Sequence, residues 1–358
     1  MAAKIARFQP ARHSVSVLAS RYHDLLPMVI ESSFEEAYGA AIEGALALDR
    51  SHLATVAARG KDRESFLQNM LTNDVRSLAT FTGLPAAFLT VKGKLVSDLL
   101  VFKGEDSFLL QLESGCAEPF RKALDRYIIS ENVVLENLAE KEATFSLEGP
   151  EARGILAELA GRSASELEDL AHLHFRIFDF AGAKARVTAH RRELTPRFDV
   201  SASPDTAKKL LEQVIDRGAL LGGERVRETR RIEASRPRFG TDMDESHLPL
   251  EAGLDEAISF QKGCYIGQEY VVRLAHRGHL NRKLAGLRLA GDVPPAPGSP
   301  VMHGAEQAGA VTSSAFSPAF GGALALAYLK RGLWEPGTEL AVGSATAAVS
   351  SLPFPRPG

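Results

Sequence analysis

The sequence predicts an α+β fold with a separate all-β unit towards its C-terminal end, and three observations predict it. Strand-like runs and amphipathic helices succeed one another in two blocks, at about 61–128 and 145–218. A run of four prolines and a glycine, VPPAPGSP at 293–300, then reads as a loop or linker. Beyond it, short apolar runs punctuated by glycines read as a small barrel or jelly roll. At 358 residues, the chain is long enough for two or three packed units.

In the first block, Phe66, Leu67, Met70 and Leu71 recur at helical spacing, so KDRESFLQNMLTN forms an amphipathic helix that ends at Asn73 and Asp74. AAFLTV and KLVSDLLVF follow as two strands. Lys92 and Gly93 lie between them, where glycine supplies the positive φ of a tight hairpin. FLLQL at Phe108–Leu112 is a third strand, and a helix from about Ala117 to Ile128 turns Phe120, Leu124 and Tyr127 to one face.

The second block repeats this in kind. A short strand at Phe145–Leu147 leads through Gly149 and Pro150 into a helix marked by Ile155, Leu156 and Leu159. HFRIFDF, ARVTAH and FDVSA are strands. Ser203 and Pro204 then start a helix whose buried face is Leu210, Leu211, Val214 and Ile215, and Gly218 stops it. In the last block, ALALAYL and ATAAVSSL are strands among Gly304, Gly309, Gly321, Gly322, Gly332 and Gly337.

Composition narrows the function. Hydrophobic residues at 45% and charged residues at 24% exclude disorder and fibrous folds. A formal net charge of −3 confines any nucleic-acid contact to a local patch. No apolar stretch is long enough to cross a bilayer, so no membrane is expected. The two cysteines, Cys116 and Cys264, lie far apart without neighbouring Cys or His ligands, which excludes a disulfide framework or a zinc motif and points to a reducing, cytoplasmic setting. Lys4, Arg7, Arg12 and Arg21 precede the first acid, Asp24, without a continuous apolar core, so residues 1–33 read as an arm rather than a targeting segment.

Three regions carry candidate chemistry. In Lys262-Gly263-Cys264-Tyr265-Ile266-Gly267-Gln268-Glu269, two glycines bracket a thiol and an ammonium group lies two residues before it, a setting that can expose and ionise a cysteine. A buried structural cysteine in a turn is the competing reading, and for Cys116 it is the preferred one. Asp98 lies within a strand whose two faces both look apolar, so its carboxylate is paired, protonated or aimed into a cleft. Arg225, Arg227, Arg230, Arg231, Arg236 and Arg238 outnumber the acids around them, and Arg273–Lys283 adds cations without an acid. Together they form either a rim for a polyanion, such as a polyglutamate tail or RNA, or a surface neutralised by Asp242, Asp244, Glu245 and Glu251. That acidic loop with His247 has no metal-ligand spacing, so no metal is expected.

KGCYIGQE resembles the signature of the YgfZ-type folate-binding proteins, relatives of the aminomethyltransferase T-protein of glycine cleavage. FLQNMLTNDV, the hairpin at 92–101, RRIEASRPRFG and LPLEAGLDEAISF extend the resemblance from about Phe34 to Lys283. It implies a three-domain cloverleaf around a central channel, with two ferredoxin-like α+β domains and a C-terminal β-barrel. On this sequence the parts fall at 34–220 for the interleaved pair, 221–283 for a connecting segment and 284–358 for the barrel. The resemblance also implies tetrahydrofolate in the channel, with Glu233 on the pteridine, Asp98 near the reactive nitrogen, and Lys262 and Tyr265 beside them. Two positions depart from the T-protein pattern: Ser97 stands where an Asp-Asp pair is usual, and Ser235 replaces the glycine after Glu-Ala.

The expected function is a tetrahydrofolate-binding accessory factor for iron–sulfur proteins or their assembly machinery, with Cys264 as the working thiol. The alternatives are a folate-dependent aminomethyltransferase or demethylase that uses Asp98, and an RNA- or partner-binding scaffold that uses the arginines.

Overall fold

The structure, a computed structural model, describes residues 31–356. The arm read at 1–33 therefore lies outside the described residues as far as position 30. Helix α1 (Phe34–Glu43) starts at Ser33, whose Oγ accepts the Glu36 N–H at 3.3 Å while Glu36 accepts the Ser33 N–H at 3.1 Å, a reciprocal cap. The chain continues through β1 (Leu46–Asp49), β2 (Leu53–Arg59), α2 (Arg63–Met70), β3 (Thr82–Leu89), β4 (Leu95–Lys103), β5 (Phe108–Glu113), α3 (Ser114–Asp125) and β6 (Val134–Asn137). It goes on with β7 (Ala143–Glu148), α4 (Ala152–Leu159), α5 (Ala164–Glu168), β8 (Phe175–Phe180), β9 (Ala183–His190), β10 (Arg197–Ala202), α6 (Pro204–Asp216), β11 (Leu220–Gly222) and α7 (Glu224–Glu233).

These strands make two sheets, one inserted in the other. The first runs β11-β1-β7-β10-β9-β8 and the second β3-β4-β5-β2-β6, so the chain leaves the first sheet after β1, builds the whole second sheet, and returns at β7. Sequence periodicity read the two blocks as successive units and passed over β1, which is four residues long. Phe145, Leu147, Phe198 and Val200 cover one face of the first sheet, against Ile155 and Leu156 of α4 and Leu210, Leu211 and Val214 of α6. Val56, Phe88, Val101 and Leu110 do the same for the second sheet, against Phe66 and Leu67 of α2 and Phe120 and Leu124 of α3. Such burial of large apolar side chains stabilises by about 1.5–3 kcal/mol each.

The opposite faces are polar. β10 presents Arg197, Asp199 and Ser201 and β9 presents Arg186, Thr188 and His190, all buried. The second sheet backs onto them: Thr55 Oγ1 donates to Glu142 at 2.5 Å, and Arg186 Nη2 reaches the same carboxylate at 2.9 Å.

After α7 an irregular stretch leads to α8 (Gln268–Arg277) and then to β12 (Arg282–Leu289), β13 (Pro300–His303), β14 (Glu306–Ser317), β15 (Gly322–Lys330), β16 (Glu339–Val342) and β17 (Ala345–Ser350). These six strands close into a barrel in the order β12-β15-β14-β13-β16-β17, as the expected C-terminal β-barrel requires. The proline-rich run lies inside the barrel, between β12 and β13, rather than ahead of it. Its prolines cannot donate to a ladder, which makes it a connecting loop. Among the described residues, no helix is long and apolar enough to cross a membrane.

Candidate functional site

The β3–β4 hairpin turns at Gly93, whose φ of +71° is the left-handed conformation expected of it; the Thr90 N–H meets the Lys94 carbonyl at 2.8 Å. In β4, Leu99 and Val101 belong to the core of the second sheet, so Asp98 points to the other face, where it is half-buried. Ser97 faces the opposite way, fully buried, with its hydroxyl on the Asp98 carbonyl at 2.8 Å.

β4 and β5 pair through Leu100↔Gln111 and Val101↔Leu110. The ladder ends at Leu100↔Gln111, and by the alternation of each strand Asp98 and Glu113, two residues beyond it, lie on the same face, where the Asp98 charge acts on Glu113. Sequence reasoning missed Glu113; its signal was an acid two residues after Gln111 at the end of FLLQL, on the face of β5 that leaves the core. Burial is the main cause that pushes Asp98 up to about 6 and Glu113 up to about 8, and Asp98's charge adds to the shift of Glu113. Cys116, in the first turn of α3, feels both carboxylates and is pushed up to about 12, first by burial.

The cations nearest this pair are committed elsewhere. Arg227 Nη1 meets His52 Nδ1 at 2.7 Å and the Asp49 carbonyl at 3.3 Å, and its Nη2 pairs with Glu224. Arg238 Nη1 pairs with Glu228 at 2.7 Å. Arg231 bonds Glu228, Asp242 and Ser313. His52 is held well below its ordinary value, by burial first and then by Arg227 and Arg50, and is therefore neutral. Among the described residues, neither half-buried carboxylate forms an ion pair, although the charge of Arg238 acts on Glu113.

The arginine-rich segment is largely neutralised within the protein. Arg230 pairs with Glu148 at 3.3 Å and Glu233 at 2.9 Å, Arg231 with Asp242 at 2.7 Å, and Arg236 with Glu193. For this segment the structure agrees with the neutralised surface and not with a cationic rim for RNA. The acidic loop is likewise engaged: Asp242 accepts Thr312 and Ser313 of the barrel at 2.5 and 2.6 Å, and His247 pairs with Asp244.

The other expected site residues are engaged in contacts of their own. Glu233, 3% exposed, accepts hydrogen bonds from Tyr38 and Ser317, each at 2.5 Å, and from Arg230 at 2.9 Å. The structure therefore uses it to join α1, α7 and the barrel, and a pteridine edge would have to displace those donors. The Lys262 ammonium donates to the carbonyls of Gln68, Leu71 and Asn73 at 2.5, 2.7 and 2.9 Å, which caps the end of α2. All three of its donors are used there, so it does not flank the Cys264 sulfur as the spacing implied. Burial lowers it to about 8. Tyr265 packs its ring 5.3 Å from that ammonium, within the cluster that includes Leu89, Leu95 and Phe239; its hydroxyl has no hydrogen-bond partner.

Cys264 is exposed. Gly267, three residues further on, has φ +83°, and a Cβ there would meet the Thr90 carbonyl at 2.5 Å, so the motif's second glycine lets the loop dock on the hairpin whose second strand carries Asp98. The first, Gly263, faces open space. Two shallow surface grooves, one at Glu118 and Lys122 of α3 and one between Pro150 and Pro196, hold none of these residues.

The GCVT N-terminal domain matches residues 18–262, and the glycine cleavage T-protein C-terminal barrel domain matches residues 282–354. An aminomethyltransferase of Rubrobacter xylanophilus is 32% identical over 308 residues, covering 86% of this chain and 82% of that protein. One of Caldanaerobacter subterraneus subsp. tengcongensis is 30% identical over 326 residues, covering 88% and 85%. The crystal structure of the glycine cleavage system aminomethyltransferase T from Bartonella henselae superposes with a TM-score of 0.82 over 92% of both chains, at 22% identity. Two domain matches that together span most of the chain, and relatives at this identity along their length, show that the chain belongs to the glycine cleavage T-protein family.

Proposed function

We propose that the protein binds a reduced folate at the face that carries Asp98 and Glu113 and handles its one-carbon group, in a reaction of the aminomethyltransferase type named for the relatives. Tetrahydrofolate is the cofactor of this family's chemistry. One observation carries the reading: two half-buried carboxylates share a face, and among the described residues neither forms an ion pair. Keeping such groups costs stability, and sites that do so are where ligands and protons are handled. The fit is chemical, because the edge of a pterin and an amine on a one-carbon donor both offer N–H groups, which carboxylates accept with charge-assisted hydrogen bonds.

When bound, the folate supplies the nitrogen that carries the one-carbon unit. The chain's own groups do the rest. Asp98, above pH 6, is a charged acceptor that orients an N–H group. Glu113, below pH 8, keeps its proton. Tyr38, Arg230 and Glu233 join α1 and α7 to the barrel through Ser317.

The test is turnover of aminomethyl or methylene donors with tetrahydrofolate. The reading expects turnover that Asp98→Asn abolishes and Cys264→Ala leaves intact; no turnover with any amine donor contradicts it.

A second reading, the YgfZ-type accessory role in support of iron–sulfur proteins in the cytoplasm, is favoured by the exposed Cys264 thiol on a loop docked against the Asp98 hairpin. It expects cells carrying Cys264→Ala to lose activity of cluster-dependent enzymes while folate binding survives. Unchanged cluster enzymes contradict it.

A further inference from the structure

We infer that Gln111, backed by Arg186, decides which ring the site accepts, by reading the carbonyl and N–H edge of a planar cyclic amide laid along the polar face of the second sheet. That this ring is a pterin rests on the folate reading; the open polar groups do not.

The strand ladders place Gln111. Leu110 and Leu112 on either side of it belong to the core of the second sheet, so Gln111 lies on the opposite face. There it pairs with Leu100 of β4 on one side and with Thr55 of β2 on the other. Leu99 and Val101 are core residues of β4, so Asp98, Leu100 and Phe102 alternate along the same face as Gln111. Asp98 is thus one pleat from Leu100, about 7 Å along the strand. A flat ring that meets Asp98 extends over Leu100 to the Gln111 amide.

Two buried polar side chains meet here with unused capacity. Gln111 is 5% exposed, and among the described residues its amide makes no hydrogen bond. Arg186 of β9 reaches the same place from the facing sheet. Its Nη2 and the Thr55 hydroxyl both donate to Glu142 Oε1, at 2.9 and 2.5 Å, and its guanidinium lies 5.5 Å from the centre of the Phe102 ring. Arg186 is 6% exposed, and its Nε and Nη1 have no hydrogen-bond partner. Buried donors without acceptors cost stability, and a ligand that accepts from them restores it.

The arrangement is selective. Asp98 accepts, Arg186 donates, and the Gln111 amide between them does both, beside the apolar strip of Leu100 and Phe102. This set complements a ring in which a carbonyl stands next to an N–H group. A ring with an amino group in place of the carbonyl would set its N–H bonds against the Arg186 donors. Buried sites reject a polar mismatch of this kind much more strongly than a missing methylene. Gln111 is therefore a specificity-determining residue.

The test is calorimetric titration of the full chain, under reducing conditions, with tetrahydrofolate and with its analogue that carries an amino group in place of the ring carbonyl. Wild type, Gln111→Leu and Gln111→Met are compared, with thermal unfolding of each ligand-free protein alongside. The expected result is a wild-type preference for tetrahydrofolate of about tenfold or more. Both variants should unfold at no lower temperature than wild type, since each removes a buried amide without a partner, yet bind tetrahydrofolate about tenfold or more less tightly, with the preference reduced. Wild-type affinity in both variants overturns the inference. So does a fall in unfolding temperature of both by several degrees, which would show the amide satisfied within the fold. If Gln111→Leu fails to fold, Gln111→Met decides. Tetrahydrofolate binding that both variants retain removes the role of Gln111 and leaves the folate reading standing; a wild type that binds neither ligand removes the folate reading and this inference together.

Discussion

Arg231 Nη1 stands 2.7 Å from Asp242 Oδ2, and this ion pair, with both partners bonded to Ser313, links helix α7 and the stretch after it to the barrel. The Asp242 side chain is fully buried, and its other oxygen accepts Thr312 and Ser313 of β14. Asp242→Ala would leave the Arg231 guanidinium without its buried partner. Breaking such a pair costs about 3–5 kcal/mol. Denaturant unfolding of the variant should show a loss of that size; a loss no larger than that of a surface substitution would mean that the barrel is held by other contacts.

The raised Glu113 gives stability a definite pH dependence. Its folded-state value, about 8, lies above its ordinary 4.5. The group therefore favours the folded state fully below pH 4.5, and this contribution is lost as pH rises through 8. Glu113→Gln, which cannot ionise, should unfold at a higher temperature relative to wild type at pH 9 than at pH 5.5. Equal differences at the two pH values would place the Glu113 carboxyl in ordinary solvent.

The two thiols should separate by reactivity. Cys264 is exposed, whereas burial and neighbouring carboxylates push Cys116 up to about 12. Alkylation of the native protein should show one fast and one slow equivalent, their rates differing roughly tenfold or more, and Cys264→Ala should remove the fast one. A single rate for both thiols would contradict this placement.

The two glycines of the motif differ in the same testable way. Gly267→Ala meets both a left-handed backbone and the Thr90 carbonyl, while Gly263→Ala meets nothing. The first should destabilise by about 1–3 kcal/mol and loosen the loop, as read by hydrogen exchange around Thr90; the second should be near neutral. Equal effects would show that the loop does not dock on the hairpin.

Much of the architecture was legible because it depends on local periodicity. The alternation in KLVSDLLVF and the helical spacing in the α6 segment each match a strand and a helix of the structure. The insertion of one sheet in the other was not legible in periodicity, since the pairing of β1 with β7 and β11 joins segments distant in sequence; the interleaved pair was implied by the family resemblance alone. Family departures became interpretable only in three dimensions. Ser235 has φ +58°, the conformation for which glycine is favoured, and its hydroxyl accepts the Phe354 N–H at 2.9 Å, so a contact with the C-terminal segment offsets a strained backbone. For the site, Asp98 was legible as a charge in an apolar strand, but Glu113 was not, because cross-strand register decides its role. Lys262 looked like a partner of Cys264 in sequence, yet the free carbonyls at the end of α2 claim its ammonium.

Binding measures the central claim most directly: tetrahydrofolate titrated calorimetrically, under reducing conditions, into wild type and Asp98→Asn. The account predicts saturable binding to one site in the wild type, weakened about tenfold or more in the variant, the equivalent of one charge-assisted hydrogen bond. No binding to the wild type, or equal affinity in the two proteins, would contradict it.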